Sequence, residues 1–297
     1  MIKVRPFAPA RIRRAFFVLA FFGAAALPGL HAQPGYRPSP DFAKSGKPDQ
    51  AEGQRILEEF RNLGIAGDYF LEFQLRVMPR RGDERTYAGR LWGARNERGG
   101  IVRVTLAVDG AERRLLLQDG REPAVWSWRT GAGTGIEKLD VAALFSPLAA
   151  TDLTPFDLER PYLYWTDFAF EGVVRIRGRP TYQFLVYPPV DFATKYPALT
   201  GVRLYLDTQF RQPVQCEQIG AGGRLLKSMT VQELKKIGEQ WIPKSVDLRD
   251  ETTHNKTRFL VTGAALGQDF ARRTFSPSAL ADDLQSPPTG HITKVAP

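Results

Sequence analysis

The sequence has little of the residue types that carry out redox, metal or acid–base chemistry. Its 297 residues include one cysteine, Cys216, and three histidines. A single cysteine cannot form an internal disulfide, so the fold must be held together by its hydrophobic core. Cys216 lies in a strand-like segment, and we interpret it as a small buried apolar residue and not as a nucleophile.

The positions of the histidines leave few candidates for a catalytic or metal-binding residue. His31 lies in an N-terminal leader and His291 in a polar C-terminal tail, which leaves His254. His254 lies in the turn 250–255, whose acidic residues make a metal site conceivable, although carboxylates in a hairpin turn are normally solvated. We therefore predict no metal site and no cofactor.

Sequence motifs of catalysis are absent as well. No HExxH, GxSxG, Walker A or GxGxxG motif is found at a strand-to-helix junction. The glycine-rich stretch 131–135 lacks the Lys-Ser/Thr pair that binds phosphate, and we interpret it as a flexible connection. Carboxylate pairs such as Asp167 with Glu171 keep an enzyme of carbohydrate chemistry as a less favoured alternative. We predict that the protein has no catalytic residues and is not an enzyme.

The excess of positive charge is small once the leader is set aside. The whole chain carries a net charge of +9 at pH 7, and removal of the five basic residues within the first 14 positions reduces it to +4. The sequence contains neither a long basic run nor an RNA- or DNA-binding motif. We expect no nucleic-acid partner.

The first feature that the sequence does contain is an export signal. Basic residues up to Arg14 precede an apolar run over residues 15–30, which is shorter than the roughly 20 residues of a membrane-spanning helix. The small residue Ala32 marks the expected cleavage site, so residues 1–32 are predicted to be a signal peptide that is removed. Gln33 follows, in place of the cysteine of a bacterial lipoprotein. We expect a periplasmic protein whose N terminus is not acylated.

Composition divides the remaining chain into a core and two flanks. Residues 33–47 and 276–297 are rich in Pro, Ser, Gly and charge and poor in large apolar side chains. Both flanks are predicted to be flexible. No such stretch interrupts residues 48–275, which are predicted to form one domain.

The first part of this domain changes from helical to strand periodicity. A helix is predicted between Asp49 and Gly64. Its single apolar face consists of Ile56, Leu57, Phe60 and Leu63. A half-buried strand follows, in which apolar and polar residues alternate with period 2. Its apolar face consists of Tyr69, Leu71, Phe73 and Leu75.

Strand-like segments of this kind recur to the end of the domain. Two Asp-Gly pairs, at 109–110 and 119–120, are typical of hairpin turns. Eleven or twelve strands joined mainly by hairpins predict a mainly β fold with a few helices (α+β). One large curved antiparallel sheet, or a sandwich, would have those helices over its concave face.

The strand alternation is lost in the middle of the chain. Two short helical segments are predicted there, at about 141–148 and 154–159. Thr154 or Asp152 could cap the second segment, and Pro155 would occupy its first helical position.

Four short segments carry a family resemblance. They are ATDLTPFDL at 150–158, GGRLLK at 222–227, WIPKSVDLRD at 241–250 and THNKT at 253–257. Together with the order of the elements, they resemble the outer-membrane lipoprotein-sorting (LolA-like) proteins of the bacterial periplasm, in an uncharacterised branch of that family. The resemblance covers about residues 60–265.

The resemblance implies a specific architecture for residues 48–275. It is an incomplete antiparallel β-barrel of about 11 strands, whose concave face is covered by helices and encloses an apolar cavity for acyl chains. Several aromatic and apolar side chains either line this cavity or fill an ordinary core. The candidates are Tyr69, Leu71, Phe73, Leu75, Trp126, Trp128, Phe168 and Phe170. The predicted helix, with Ile56, Leu57, Phe60 and Leu63, is the candidate lid.

The function implied is that of a periplasmic carrier. It would bind the acyl chains of lipoproteins or lipids in the cavity and deliver them to the outer membrane. Its partners would be the acylated cargo, an inner-membrane donor and an outer-membrane acceptor, and the carrier itself would be a monomer. The alternative is a non-catalytic envelope scaffold or binding module whose concave face is filled by its own side chains.

Overall fold

The computed structural model describes residues 37–42, 46–131, 135–209 and 212–295, so the predicted signal peptide lies outside the described residues. The helices are α1 (Gln50–Arg61), α2 (Pro155–Glu159) and α3 (Val190–Lys195). The strands are β1 (Asp68–Met78), β2 (Arg85–Asn96), β3 (Gly99–Val108), β4 (Ala111–Gln118), β5 (Ala124–Arg129), β6 (Glu137–Lys138), β7 (Phe168–Ile176), β8 (Arg179–Val186), β9 (Gly201–Asp207), β10 (Pro213–Ile219), β11 (Leu225–Ile237), β12 (Gln240–Asp250), β13 (Lys256–Gln268) and β14 (Thr293–Lys294). No helix in the described ranges has both the length and the apolar character needed to cross a membrane.

The strands form one antiparallel sheet with an open topology. Their order is β6-β5-β4-β3-β2-β1-β13-β12-β11-β10-β9-β8-β7, with β14 added beside β13. The first meander, β1–β6, and the second meander, β7–β13, meet where β1 pairs with β13. Because β6 and β7 lie at opposite ends of this order, the sheet is not closed. The predicted incomplete β-barrel is confirmed, with 14 strands among the described residues in place of about 11.

Helix α1 forms where the sequence predicts it and lies against β7. Asp49 caps its N terminus, since the Asp49 side chain accepts a hydrogen bond from the backbone N–H of Ala51 at 2.9 Å. At Gly53 a Cβ atom would lie 2.5 Å from the Cβ atom of Phe170, so only glycine allows the helix to approach the strand this closely. The Gln50 amide also bonds both backbone groups of Phe170 on the outer edge of β7.

The concave face carries the main hydrophobic core. Its sheet side consists of buried apolar side chains from both meanders, among them Leu75, Leu115, Phe184, Leu204 and Leu248. Helix α1 and the segment between β6 and β7 cover this face. The predicted arrangement of helices over a concave sheet is therefore confirmed.

The C-terminal segment is packed, and the prediction of a flexible tail at 276–297 is wrong for the residues described there. Leu280 is fully buried against the convex face of the sheet. Arg103 of β3 donates hydrogen bonds to the backbone carbonyls of Ala279 (2.9 Å) and Leu280 (3.2 Å). Residues 293–294 pair with β13. A segment with few apolar residues is ordered here because a buried cation binds its backbone carbonyls, which composition does not indicate.

The described part of the N-terminal flank, residues 37–42, is also packed against the sheet, contrary to the predicted flexibility. The Arg37 guanidinium binds both carboxylate oxygens of Asp167 at 2.7 and 2.8 Å and lies over the Tyr187 ring. The Tyr187 hydroxyl donates to the backbone carbonyl of Pro38 at 3.0 Å. One bidentate ion pair and one stacked aromatic ring hold this short segment in place.

Candidate functional site

A cavity of about 320 Å³ lies between the sheet, with residues of both meanders in its wall, and the segments that cover it. Volumes in this range are typical of sites that hold small ligands. The cover consists of the C-terminal end of α1 and residues 153–164. The apolar lining side chains include Phe60, Leu63, Leu71, Leu91, Val102, Val104, Leu117, Leu153, Leu158, Leu163, Phe259 and Val261.

Two of the four predicted lining residues on β1 reach this cavity. Tyr69 and Leu71 belong to its wall. The Tyr69 ring lies over Gly93 of β2, where a Cβ atom would come within 2.1 Å of the ring, so glycine is needed for this approach. Phe73 and Leu75 lie on the same face but are only 3% and 1% exposed. The gap beside them is about 10 Å³, at the limit for one water molecule, so they belong to the filled core.

The two aromatic side chains of β7 lie on the concave side but outside the cavity. Phe170 is 3% exposed and stacks on Phe184 of β8 with their ring centroids 4.8 Å apart. Phe168 packs against the same core, with its ring centroid 6.1 Å from that of Phe184. Phe170 packs under α1 against Gly53, and neither residue belongs to the wall of the 320 Å³ cavity.

The placement of Trp126 and Trp128 on the concave face is wrong. The two side chains share one face of β5, as their spacing indicates, but the face is the convex one. Val125, between Ala124 and Trp126, lies in the concave core, so both tryptophans point away from the cavity. They pack with Leu280 of the C-terminal segment. The alternation of side chains along a strand shows which residues share a face. Which of the two faces is the inner one is decided by the pairing with neighbouring strands.

The apolar stripe of α1 covers the core as predicted. Ile56, Leu57 and Phe60 are buried against the concave face. Leu63 lies beyond the last helical residue, Arg61, and is 43% exposed at the mouth of the cavity. Three side chains of the predicted stripe therefore cover the core, and the fourth lies at the edge of the cavity.

The middle cover is fixed to the second meander by a buried ion pair. Thr154 caps α2, as predicted, and its backbone N–H donates to the Asp157 carboxylate at 2.9 Å. The same carboxylate accepts hydrogen bonds from Lys227 of β11 at 3.0 Å and from Gln218 of β10 at 2.6 Å. Asp157 is 3% exposed, so this network anchors α2 rigidly above the sheet.

Helix α2 ends at Arg160, which brings a cation to the cavity. Arg160 has left-handed backbone angles (φ 55°, ψ 52°) and lines the cavity with 39% of its side chain accessible. Its Nη2 lies 3.8 Å from Oδ2 of Asp119, at the end of β4. Burial lowers the pKa of Arg160, but Asp119, Tyr162 and Tyr69 raise it more, so the pKa is above its ordinary value. Burial raises the pKa of Asp119 from 3.8 to about 6.

Two further arginines at this end of the cavity are bound to the backbone of the cover. Arg61 donates to the carbonyls of Leu163 (2.5 Å) and Trp165 (3.0 Å). Arg95 of β2 donates to the carbonyl of Arg61 at 2.9 Å. These three bonds tie the end of α1 to the middle cover and to the sheet.

A second cavity, of about 340 Å³, lies on the other side of the cover. Glu159 lies in its wall, is 2% exposed, and has no hydrogen-bond partner for either carboxylate oxygen in the described part of the chain. Burial, with a contribution from Asp119, raises the pKa of Glu159 well above its ordinary value, which favours the protonated form.

The sequence interpretation missed Glu159, Arg160 and Asp119. A usable signal was present, because Glu159 and Arg160 stand side by side in the otherwise largely apolar segment 153–165. Charged side chains in such a segment are buried together with it. Burial of a charge lowers the stability of the fold unless the charge is paired, so an unpaired buried charge points to a functional site.

Cys216 and the acidic turn behave as ordinary structural elements. Cys216 is buried, as predicted, and burial raises the pKa of its thiol to about 12. The Asp250 carboxylate accepts hydrogen bonds from the backbone N–H groups of Thr252 and Thr253 in its own turn. In the ranges that the structure describes, no group of three His, Cys, Asp or Glu side chains is arranged to hold a metal ion.

Comparison with known sequences gives a partial match. A family model described as "Uncharacterized protein" matches residues 141–282, which is slightly less than half of the chain. No curated protein matches the sequence.

Solved structures share the fold over most of the chain. A DUF1329 family protein from Desulfovibrio piger has a TM-score of 0.67 and 13% identity, over 79% of this chain and 100% of its own. A chain described as an outer membrane lipoprotein-sorting protein domain, from Vibrio parahaemolyticus, has a TM-score of 0.67 and 15% identity, over 78% and 99%. A LolA superfamily protein from Nitrosomonas europaea has a TM-score of 0.57 and 17% identity, over 75% and 96%. The LolA-like fold expected from the sequence is thus confirmed.

Proposed function

We propose that the protein is a non-enzymatic periplasmic carrier. It takes acyl chains of lipoproteins or lipids into the apolar cavity and delivers them to the outer membrane. The observation that carries this proposal is the 320 Å³ cavity, which has apolar walls on the concave face and lies under a helical cover. The fold shared with a LolA superfamily protein and with a lipoprotein-sorting domain supports it.

Burial of an acyl chain supplies enough free energy for such a carrier. Each methylene moved from water to an apolar site contributes about 0.8 kcal/mol. A chain of about a dozen methylenes would therefore contribute roughly 10 kcal/mol before the costs of ordering the ligand and the cover. Binding of this kind needs neither a catalytic group nor a cofactor.

The cover must open for a chain to enter, and α1 is the proposed lid. The helix has one buried stripe, Ile56, Leu57 and Phe60, and its outer face is polar and exposed. Its C-terminal end is held mainly by the bonds of Arg61 and Arg95, which can break without disturbing the sheet. Outward movement of α1 would widen the mouth of the cavity, where Leu63 is already 43% exposed.

The cellular setting is part of the proposal. We propose export by the N-terminal signal, cleavage before Gln33, and action as a monomer between an inner-membrane donor and an outer-membrane acceptor. The intact mass of the protein from an envelope fraction should correspond to a chain that begins near Gln33 without added acyl mass. A chain that retains residues 1–32 would contradict this setting.

Mass spectrometry of lipid extracts tests the carrier function. The protein purified from its native envelope should contain acyl lipid or acylated peptide in an amount comparable to its own. Val102→Phe places a larger side chain in the cavity wall and should remove most of this lipid. Val173→Phe is the matched control, because Val173 is 50% exposed on β7 and outside the cavity. Lipid-free wild-type protein that also binds no added acyl ligand would favour a scaffold.

A further inference from the structure

Arg160 differs from other buried arginines in how its guanidinium is satisfied. Arg61 donates to two backbone carbonyls, Arg103 to four, and Arg203 binds the carboxylate of Glu171. In the part of the chain that the structure describes, the Arg160 side chain makes no hydrogen bond, and its Nε is buried without a partner. A guanidinium has five N–H donors, and the buried Nε–H is costly to leave unpaired. The terminal N–H groups, on a side chain that is 39% exposed, lie at the cavity without an acceptor among the described residues.

The Asp119 carboxylate does not fill this role. Its Oδ2 is 3.8 Å from Nη2 of Arg160, which is beyond hydrogen-bond range. Asp119 is itself largely buried, with 17% of its side chain exposed, and burial raises its pKa to about 6. The Asp119 carboxylate therefore attracts Arg160 at a distance without accepting a hydrogen bond, and the N–H donors of Arg160 are available to another anion.

The charge balance at this end of the cavity favours an anion. Arg61, Arg95 and Arg160 line it together with Asp119. A second lining carboxylate, on α2, is already bound to a lysine of β11 and adds no free negative charge. The excess of positive charge attracts an anionic group and disfavours a cationic one. The remaining wall is largely apolar and suits a hydrocarbon chain.

We propose that the cavity selects an acyl ligand with an anionic oxygen head group, a carboxylate or a phosphate, and that Arg160 binds this head group. The inference rests on the proposed function, because the acyl chain occupies the apolar part of the same cavity. A guanidinium can donate two parallel hydrogen bonds to a carboxylate or a phosphate, which gives orientation as well as affinity. The chain then lies against residues such as Leu91 and Val102.

Ligands that share a chain and differ in head group test this proposal. Hexadecanoic acid and hexadecanol would compete with a neutral fluorescent acyl probe for the wild-type protein at pH 7.5. The acid should bind about tenfold more tightly, the value of one charge-assisted hydrogen bond. Equal affinities would overturn the inference and leave the carrier function intact. If neither ligand binds, the proposed function itself fails.

Substitution of Arg160 assigns the selectivity to one side chain. Arg160→Gln should lower the affinity for hexadecanoic acid about tenfold and leave that for hexadecanol unchanged. Arg177→Gln is the matched control, because Arg177 has the same left-handed conformation (φ 50°) but lies exposed in the turn between β7 and β8. Unchanged selectivity in Arg160→Gln, or an equal loss in both variants, would contradict the assignment.

Two further measurements keep the test decisive if Arg160→Gln does not fold. Asp119→Asn removes the competing carboxylate and should raise the affinity for hexadecanoic acid several-fold without changing that for hexadecanol; no change would count against the inference. Lysophosphatidic acid should likewise bind more tightly than monoacylglycerol. Inorganic phosphate alone should not bind, and binding as tight as that of lysophosphatidic acid would identify a free-anion site instead.

Discussion

Each face of the sheet has a buried or half-buried arginine, and the two differ in what surrounds them. On the convex face, Arg103 is 1% exposed and donates to four backbone carbonyls between residues 274 and 282. On the concave face, Arg160 lines the cavity and donates to no group in the described ranges. The Nε of each arginine is buried without a partner in the described ranges, so the difference lies in the terminal nitrogens. Backbone carbonyls accept from both terminal nitrogens of Arg103, whereas those of Arg160 are left to a ligand. A buried charge thus indicates a structural or a binding role according to whether its donors are already used.

Substitution of Arg103 should have the largest effect on stability. Arg103→Met leaves four carbonyls of the C-terminal segment without their donor, two of which are fully in the interior. We expect the free energy of unfolding to fall by about 3–5 kcal/mol, because each buried unsatisfied carbonyl costs about 1–3 kcal/mol. Urea unfolding measures the loss, and hydrogen exchange should localise it to residues 272–295. A stable variant with a protected C-terminal segment would show that Arg103 is not what holds that segment in place.

On the concave side, the stability of the fold should depend on pH through Asp119. Burial raises the folded-state pKa of Asp119 from 3.8 to about 6, so the folded protein holds this proton more tightly than the unfolded chain. The resulting stabilisation is complete below pH 3.8 and is lost as the pH rises through about 6. The groups that face Asp119 are Arg95, Arg160, Glu159, Tyr69 and Tyr164.

Urea unfolding of the wild type and of Asp119→Asn at pH 4.5 and pH 7.5 checks this prediction. Between the two pH values the wild type should lose about 2 kcal/mol more than the variant, because the interval from pH 4.5 to the pKa of about 6 spans roughly 1.5 pH units and each unit corresponds to about 1.4 kcal/mol. Parallel pH profiles for the two proteins would show that Asp119 is not the group responsible.

Substitution of Trp126, on the convex face, should lower stability by a smaller amount and leave ligand binding on the concave face unchanged. It packs half-buried between the convex face and Leu280, so Trp126→Ala should lower the free energy of unfolding by about 2 kcal/mol, less than for a fully buried tryptophan. Affinity for hexadecanoic acid, measured by probe displacement, should be unchanged because the side chain is on the far side of the sheet. A loss of binding without a loss of stability would show that Trp126 contributes to the cavity.

The smallest effect is expected in the dynamics of the two covering segments. Amides of α1 should exchange roughly tenfold faster than those of β3 and should slow when hexadecanoic acid is bound, because a lid opens before the sheet does. Residues 272–295, which cover the convex face, should show the same exchange with and without ligand. Equal exchange of α1 in both states would make it a plain structural helix.

Local signals predicted much of the fold. Asp49 and Thr154 cap their helices as their positions before apolar segments indicate. Asp109-Gly110 forms the turn between β3 and β4, where both residues have positive φ angles (48° and 82°) that favour this pair. The alternation in β1 placed Tyr69 and Leu71 on the cavity wall. These features depend on a few neighbouring residues, which is why a single sequence shows them.

Features that depend on distant pairing could not be predicted in the same way. The face of Trp126 follows from the pairing of Leu116 with Trp126 and of Leu117 with Val125, and the spacing within β5 does not contain that information. The order of the C-terminal segment depends on Arg103, more than 150 residues earlier in the chain. The proposed role of Arg160 depends on its having no hydrogen-bond acceptor among the described residues. Only the folded cavity shows which N–H donors remain unused.

The pairing of β1 with β13 has a consequence for how the chain reaches this structure. The first and last long strands are neighbours, so the wall that both help to form is complete only after the last strand has become available for pairing. Contacts between such distant parts of the sequence form slowly, because the intervening chain must first lose its entropy. Until β13 arrives, β1 is an apolar edge strand open to pairing with other chains. Folding of this protein therefore includes an interval of vulnerability to aggregation, which a chaperone that shields extended strands would shorten.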